Sequence, residues 1–431
     1  MASYFNYKIK EFLIESLDKK KNINATSCVS AIRYYEDLFS PAVFVSMLVT
    51  NTDGLLSSLP IRGGERVRLI IDQEGTGQQI KFDETKNTFY VYKVYGSTSE
   101  STRETMLLEL APAEVFSNET ARVQRKYDGN IGQTVSKILK DVLKTTRINE
   151  VEKTMNEYSF MGNFKKPFTV LTWLCPKSIP TVDKSSPTAG TAGFLFYENK
   201  YGFNFRSVDS LMAAFKLNST EKKQVPKYTY NETPLESGDL GTNFKILNMP
   251  VFEKNVNIFE NLRIGMYSSV NYFFDINKRT TTKHVYKLSE SYNIMKHAGK
   301  TKPDIPLNFD KNPSRLMVKV IDSQILSAQE QEKANKIKDN REQYQSQSVA
   351  RYNLAFSQLL NITIPLNLNL TVGDVIQLEI GNITKETDQK IQKDTEKSGY
   401  YLIKELCHTF EQSQGYTGLK LVRDSYGDPQ K

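Results

Sequence analysis

The chain has 431 residues, with 57 Lys and Arg against 49 Asp and Glu, a formal net charge of +8, and 23 Tyr beside 23 Phe. That length exceeds one ordinary core and predicts roughly two to four domains, and a charged fraction of 25% excludes a largely disordered chain. Cys28, Cys175 and Cys407 are too sparse for a disulfide framework and fit folding in a reducing cytoplasm; His284, His297 and His408 have no metal-ligand spacing, so neither a metal nor a cofactor is expected.

Residues 1–22 place Tyr4, Phe5, Ile9, Phe12, Leu13 and Leu17 at helical spacing with Lys and Glu between them. This predicts an N-terminal amphipathic helix docked on the protein's own core or on a partner, and not a signal peptide. No run approaches the ~18 apolar residues of a membrane span, so no membrane anchoring is expected.

From 23 to 115 the pattern is β. TSCVSAIRYYED, PAVFVSMLVTN, ERVRLIID, NTFYVYKVYG and ETMLLELAP are rich in Val, Ile, Tyr and Phe and are separated by turn residues. Consecutive short strands without intervening helices predict a first small antiparallel barrel. EGTGQQ, at 74–79, lacks the Lys-Ser/Thr and the spacing of a phosphate loop.

An α+β middle region is expected over 116–225. Ile131, Val135, Ile138, Leu139, Val142 and Leu143 form one helical stripe, with Gly129-Asn130 able to turn and cap it. KKPFTVLTWLCPK predicts a second, buried helix with Pro167 in its first turn and Cys175 as an inert thiol. Strands follow at 194–198 and 203–206, then a short helix capped by Ser207.

Residues 226–322 read as a β-rich continuation or insertion, with a hairpin turning near Asn277-Lys278. A long helix is expected over 323–361, which has no Pro or Gly. Its first two-thirds are polar on every side, which predicts exposure or ordering by a partner. Its end is amphipathic through Tyr352, Ala355, Phe356, Leu359 and Leu360. Residues 362–431 complete a second β-barrel, interrupted by a charged segment, NITKETDQKIQKDTEKS, expected to be a mobile loop.

Chemistry is sparse. Cys407 and His408 are adjacent, but successive side chains on a strand point to opposite faces, so the pair cannot act as nucleophile and base there. No G-x-S-x-G, H-E-x-x-H or P-loop occurs, and no continuous basic stripe with interleaved aromatics predicts specific nucleic-acid binding. No catalytic residues are therefore assigned. A cell-wall hydrolase using dispersed carboxylates or Cys407, and a basic nucleic-acid-binding protein, stand as the alternatives to a structural role.

The overall class is thus α+β and β-rich: two small antiparallel β-barrel domains flanking an α+β middle region, with a long polar helix before the second barrel. Three stretches carry a resemblance. They are LLELAPAEVFSNETARVQRKYDGNIGQTVSKILKDVL, GFLFYENKYGFNFRSVDSLM, and the pair NITIPLNLNLTVGDVIQLEIG and SGYYLIKELCHTFEQSQGYTGLKLVRDSYG. In these the chain resembles the baseplate hub proteins of contractile-tailed, T-even-like bacteriophages, related to late-control tail proteins and to the N-terminal part of type VI secretion spike proteins. The signature residues matched are Gly373 and Asp374 at a turn, Gly399, Tyr400 and Tyr401 at a strand entry, and Asp424 and Gly427 at the domain's end. The resemblance implies a non-enzymatic homotrimer whose six β units match a hexameric tail tube on one side and receive a trimeric spike on the other. Its implied partners are itself, the spike protein, the tail-tube or tube-initiator protein and baseplate wedge proteins. Its implied location is the virion's tail baseplate, after assembly in the host bacterial cytoplasm.

Overall fold

The computed structural model describes residues 6–51, 59, 61–83, 87–99, 103–181, 190–214, 225–230, 244–254, 256–299, 305–321, 340–381, 394–411 and 414–427. The expected polar helix over 323–339 and most of the expected mobile loop, 382–393, lie outside these residues.

One 14-stranded sheet organises the chain. Its path runs Val251–Lys254, Gln358–Pro365, Gln414–Arg423, Gly399–Glu411, Val29–Asp37, Phe44–Asn51, Glu104–Pro112, Phe89–Ser99, Arg66–Gln73, Tyr7–Glu15 and Asn22–Asn24. All five strands expected over 23–115 are present. Their period-2 patterns explain why: Val45, Met47 and Val49 turn inward from one strand, Val67, Leu69 and Ile71 from another, and Met106, Leu108 and Leu110 from a third. Each such side chain, fully removed from water, contributes ~1.5–3 kcal/mol.

Three expectations are corrected. Residues 7–15 are a strand, Tyr7–Glu15, not part of a helix. It pairs antiparallel with Arg66–Gln73, and the register slips between Ile9 and Glu11. The extra residue of that bulge shifts the alternation by one, so Tyr7 and Ile9 and then Phe12 and Ile14 face the core. An interrupted period of two imitates a helical stripe.

The two β units are not separate closed barrels. Gly399–Glu411 pairs antiparallel with Val29–Asp37, from Glu405 opposite Asp37 to Glu411 opposite Ala31. Each unit's edge strand satisfies the other's free backbone groups, and a single core runs from Phe12, Val45 and Leu108 to Leu360, Ile376 and Leu421. Among the described residues the ladder does not close.

The 226–322 continuation divides. Lys227–Tyr230 adds parallel to Val375–Ile380, and Val251–Lys254 adds to the Gln358–Pro365 edge. The remainder forms a separate three-stranded sheet in the order Thr280–Lys287, Ser268–Asp275, Arg315–Ile321. The hairpin expected at Asn277-Lys278 is its first turn, preceded by a helix over Ile258–Ile264.

The middle region holds its own core. Val135, Leu139, Leu171, Phe196 and Phe203 pack between helices and the three-stranded sheet of Ile148–Val151, Gly202–Ser207 and Phe194–Asn199. Asn130 caps the Ile131–Lys137 helix by accepting from the Gln133 N–H, and the stripe continues as a π-helical turn over Ile138–Val142. Pro167 opens the next helix, and the Ser207 hydroxyl accepts from the Ser210 N–H to cap Val208–Met212.

The described part of the expected long helix is Arg341–Ala355; Leu359 and Leu360 belong instead to the strand Gln358–Pro365. This helix is polar yet packed, burying Ser346, Gln347, Ser348 and Arg351. Its polarity is satisfied internally: Ser346 meets the Ser269 hydroxyl at 2.9 Å and the Asn271 amide, and the Gln347 carbonyl accepts from the Ala192 N–H at 2.9 Å.

Candidate assembly surface

Arg351 ties four segments together. The guanidinium is fully buried and donates to Asp209 at 2.9 Å, to Asp424 at 2.7 Å and to the Lys296 carbonyl at 2.7 Å. Asp424 also accepts from the Ala298 N–H at 3.1 Å and lies 2.9 Å from the His297 ring. Burial works to raise the Asp424 carboxyl, but Arg351 and His297 hold it well below the usual carboxylate range. The helix Arg341–Ala355, the Val208–Met212 helix, the 296–298 loop and the chain's last described turn thus meet on one cation.

A second cluster joins the two β units to the middle region. Glu36 accepts from the Tyr34 hydroxyl at 2.8 Å, the Lys200 N–H at 2.7 Å and the Val372 N–H at 2.9 Å. Close by, Glu198 accepts from the Val43 N–H at 2.9 Å and pairs with Arg147 at 2.6 Å. Burial pushes both carboxyls up to about 7, against the pull of these donors.

The seven signature residues fall in two places. Gly373 and Asp374 form a turn against the middle region. Gly373 has φ +89°, and a Cβ there would come 2.6 Å from the Tyr197 hydroxyl, which leaves room only for glycine. Asp374 accepts from the Thr371 N–H at 3.0 Å and so closes the turn. Gly399, Tyr400, Tyr401, Asp424 and Gly427 gather at the other end of the second unit. Gly399 has φ +134°, and a Cβ there would come 3.1 Å from the Gly427 carbonyl oxygen. The Arg423 guanidinium lies 4.6 Å from the Tyr401 ring centre, and the Tyr401 hydroxyl donates to the Lys397 carbonyl at 2.7 Å. Tyr400 is buried beside them.

Sequence reasoning missed Arg351, Asp209, Glu36 and Glu198, because charge was read as exposure. The available signal was weak: Ala350 with Leu354, and Arg351 with Ala355, share faces one turn apart on the helix.

Cys407 and His408 lie on Gly399–Glu411 and diverge as expected. His408 turns into the core, with Nδ1 3.0 Å from the Thr417 hydroxyl, and burial pushes its ring down to about 3. Cys407 lies on the other face, 3.5 Å from the Thr409 hydroxyl, and burial raises its thiol, the opposite of what a thiolate nucleophile needs. Cys175 is buried and its thiol is likewise raised by burial.

The conspicuous outward feature is the separate three-stranded sheet. Leu316, Val318 and Val320 are 63%, 55% and 66% exposed, and pair directly with Val270, Tyr272 and Phe274 of the central strand, so all six share one face. The opposite face carries Ser269, Asn271 and Phe273 against the Arg341–Ala355 helix. Among the described residues no strand pairs with the outer edge of Arg315–Ile321. No helix of the described residues is long and apolar enough to cross a membrane, and none of their His, Cys, Asp and Glu side chains group as metal ligands.

The buried charges act as ties between elements of one continuous β scaffold. No family model and no curated protein matches the chain. Among solved structures it is similar to the tail protein from Neisseria meningitidis MC58, with a TM-score of 0.53, 12% identity and 99% of both chains covered. It is also similar to the 43 kDa tail protein of prophage MuSo2 from Shewanella oneidensis, at TM-score 0.49 and 10% identity over 96% of this chain and 98% of that one. A third neighbour is the E. coli c3393 protein, a component of the type VI secretion system, at TM-score 0.41 and 11% identity over 98% and 78% of the two chains. The likeness to the Neisseria tail protein is one of fold and spans the whole chain, in agreement with the resemblance carried by the three sequence stretches.

Proposed function

We propose that the chain is a structural baseplate hub subunit of a phage tail. It forms a homotrimer whose six β units make a pseudo-sixfold ring, matching a hexameric tail tube or its initiator on one face and receiving a trimeric spike on the other. Baseplate wedge proteins are the remaining partners, the virion baseplate is the location, and assembly takes place in the host cytoplasm. The function is alignment of two symmetries and needs no catalysis. The observation that carries the reading is the single sheet linking two β units across the whole chain, in a fold shared end to end with a tail protein. Ring formation requires heterologous contacts whose rotation closes, and Asn22–Asn24 and Val251–Lys254, which end the main path of the sheet among the described residues, are suited to them. Analytical ultracentrifugation of the full chain, alone and with a trimeric tail spike protein, is expected to show a trimer. A strict monomer in both conditions would overturn the proposal.

A further inference from the structure

We infer that the apolar face of the Arg315–Ile321 strand and its outer edge, unpaired among the described residues, form a docking site for an acidic, extended polypeptide segment that adds to the sheet as a fourth strand. This stands on the sheet itself and does not require the hub reading.

Apolar exposure supplies the first ground. Leu316, Val318 and Val320 project from an edge strand beside Phe274, itself 43% exposed. Isolated exposed apolar residues are ordinary, but a row of them on one face beside an unpaired edge marks an interaction surface. A strand laid along the edge would pair its backbone with that edge and set alternate side chains against this row.

Charge selects the occupant. The three strands and their first turn, 268–287 and 315–321, carry six Lys and Arg and one acid, Asp275. That acid is buried and spent on its own turn, accepting from the Asn277 N–H at 3.0 Å and the Lys278 N–H at 3.2 Å. Lys287 is paired with Glu290, but Arg315 and Lys319 stand exposed on the edge strand itself, alternating with Leu316, Val318 and Val320 and so turned to the opposite face, where they meet the Ile264 carbonyl and Gln345. Edge-to-edge pairing with a second copy would set these cations against their own copies, whereas a strand alternating apolar and acidic residues would lay the first on the apolar row and bring the second beside Arg315 and Lys319. A lipid surface would also meet the cations, but it offers nothing to the strand's free N–H and C=O groups, which hydrocarbon leaves unsatisfied.

The test uses the full chain and a fluorescent nonapeptide of alternating Val and Glu, with its Lys-for-Glu counterpart as control, read by anisotropy. The Glu peptide is expected to bind at least tenfold more tightly than the Lys peptide, with binding weakened at high salt. Val318→Glu is expected to weaken it at least tenfold, and Lys319→Glu, at an exposed position on the edge strand that leaves the apolar row intact, to weaken it severalfold. Equal binding of the two peptides, or binding indifferent to both substitutions, would overturn the proposal. So would flotation with vesicles of 30% phosphatidylserine that depends on Val318 while the peptide fails to bind, which would assign the face to lipid. Self-association abolished by Val318→Glu without peptide binding would assign it to a second copy and equally overturn the proposal. Because the proposed ring contacts use other strands, loss of trimer formation and loss of peptide binding are separable results.

Discussion

Leu108 and Leu316 occupy strands of similar length and meet opposite fates. Leu108, on Glu104–Pro112, has hydrogen-bonded strands on both sides and is 0% exposed; Leu316, on the edge strand Arg315–Ile321, is 63% exposed. The large sheet turns one face of every strand into a shared core, so its alternation is read directly as burial. The small sheet rests one face on a polar helix and turns its apolar row outward. An apolar period of two therefore identifies a strand without saying whether it faces a core or a partner. The polar contacts divide the same way: Arg351 beneath the small sheet is enclosed, while Lys283 and Lys319 on the sheet itself are exposed.

Four measurements break or sharpen this contrast. The largest effect is expected at the tie between the two regions. Arg351→Ala leaves Asp209 and Asp424 buried without their cation and should cost ~3–5 kcal/mol in urea unfolding. Arg351→Lys should restore little of it, since an ammonium cannot span both carboxylates and the Lys296 carbonyl as the planar fork does. A loss of under ~1 kcal/mol for the alanine variant would show that the helix docks without this ion cluster.

Next comes the large sheet. Leu108→Ala should cost ~2–5 kcal/mol, the sum of lost burial and the cavity left behind. A cost near zero would mean the joined core is loose enough to collapse.

The third is a pH effect on one buried ring. His408 is neutral when folded, with its pKa pushed down from 6.5 to about 3. Below pH 6.5 the unfolded chain takes up a proton that the folded chain refuses, so this contribution to stability is lost as pH falls, by ~3 kcal/mol at pH 4.5. Glu36 and Glu198 work in the opposite sense, since carboxyls raised to about 7 bind protons in the folded state and add stability as pH falls from 7 toward 4.5. Comparison with His408→Asn removes their shared background. The stability gap between wild type and variant should narrow from pH 6.5 to 4.5, and a constant gap would contradict a neutral buried ring.

The smallest effect is the mirror of the second. Leu316→Ala should change stability by less than ~0.5 kcal/mol. A cost comparable to that at Leu108 would mean the apolar row is covered within the monomer and is not a docking surface.

Local rules of the sequence determined a good deal. Alternation placed the five strands of the first unit. Asn130, Pro167 and Ser207 set helix starts where their side chains or rings suit the first turn, and the strand geometry separated Cys407 from His408. These are properties of a few neighbouring residues, and tertiary packing had no reason to override them. The tertiary structure alone decided what depends on distant partners. A bulge across from Ile70 and Ile71 made a strand of the N-terminal segment. The pairing of Glu405–Glu411 with residues 31–37 fused two units into one sheet, because an open edge takes whichever complementary edge lies beside it. The polar Arg341–Ala355 helix became an interior element because Asp209 and Asp424, 142 and 73 residues away in sequence, converge on Arg351 and make its burial affordable. Charge announces exposure only until a partner removes the need for water, and no local pattern records where that partner will be.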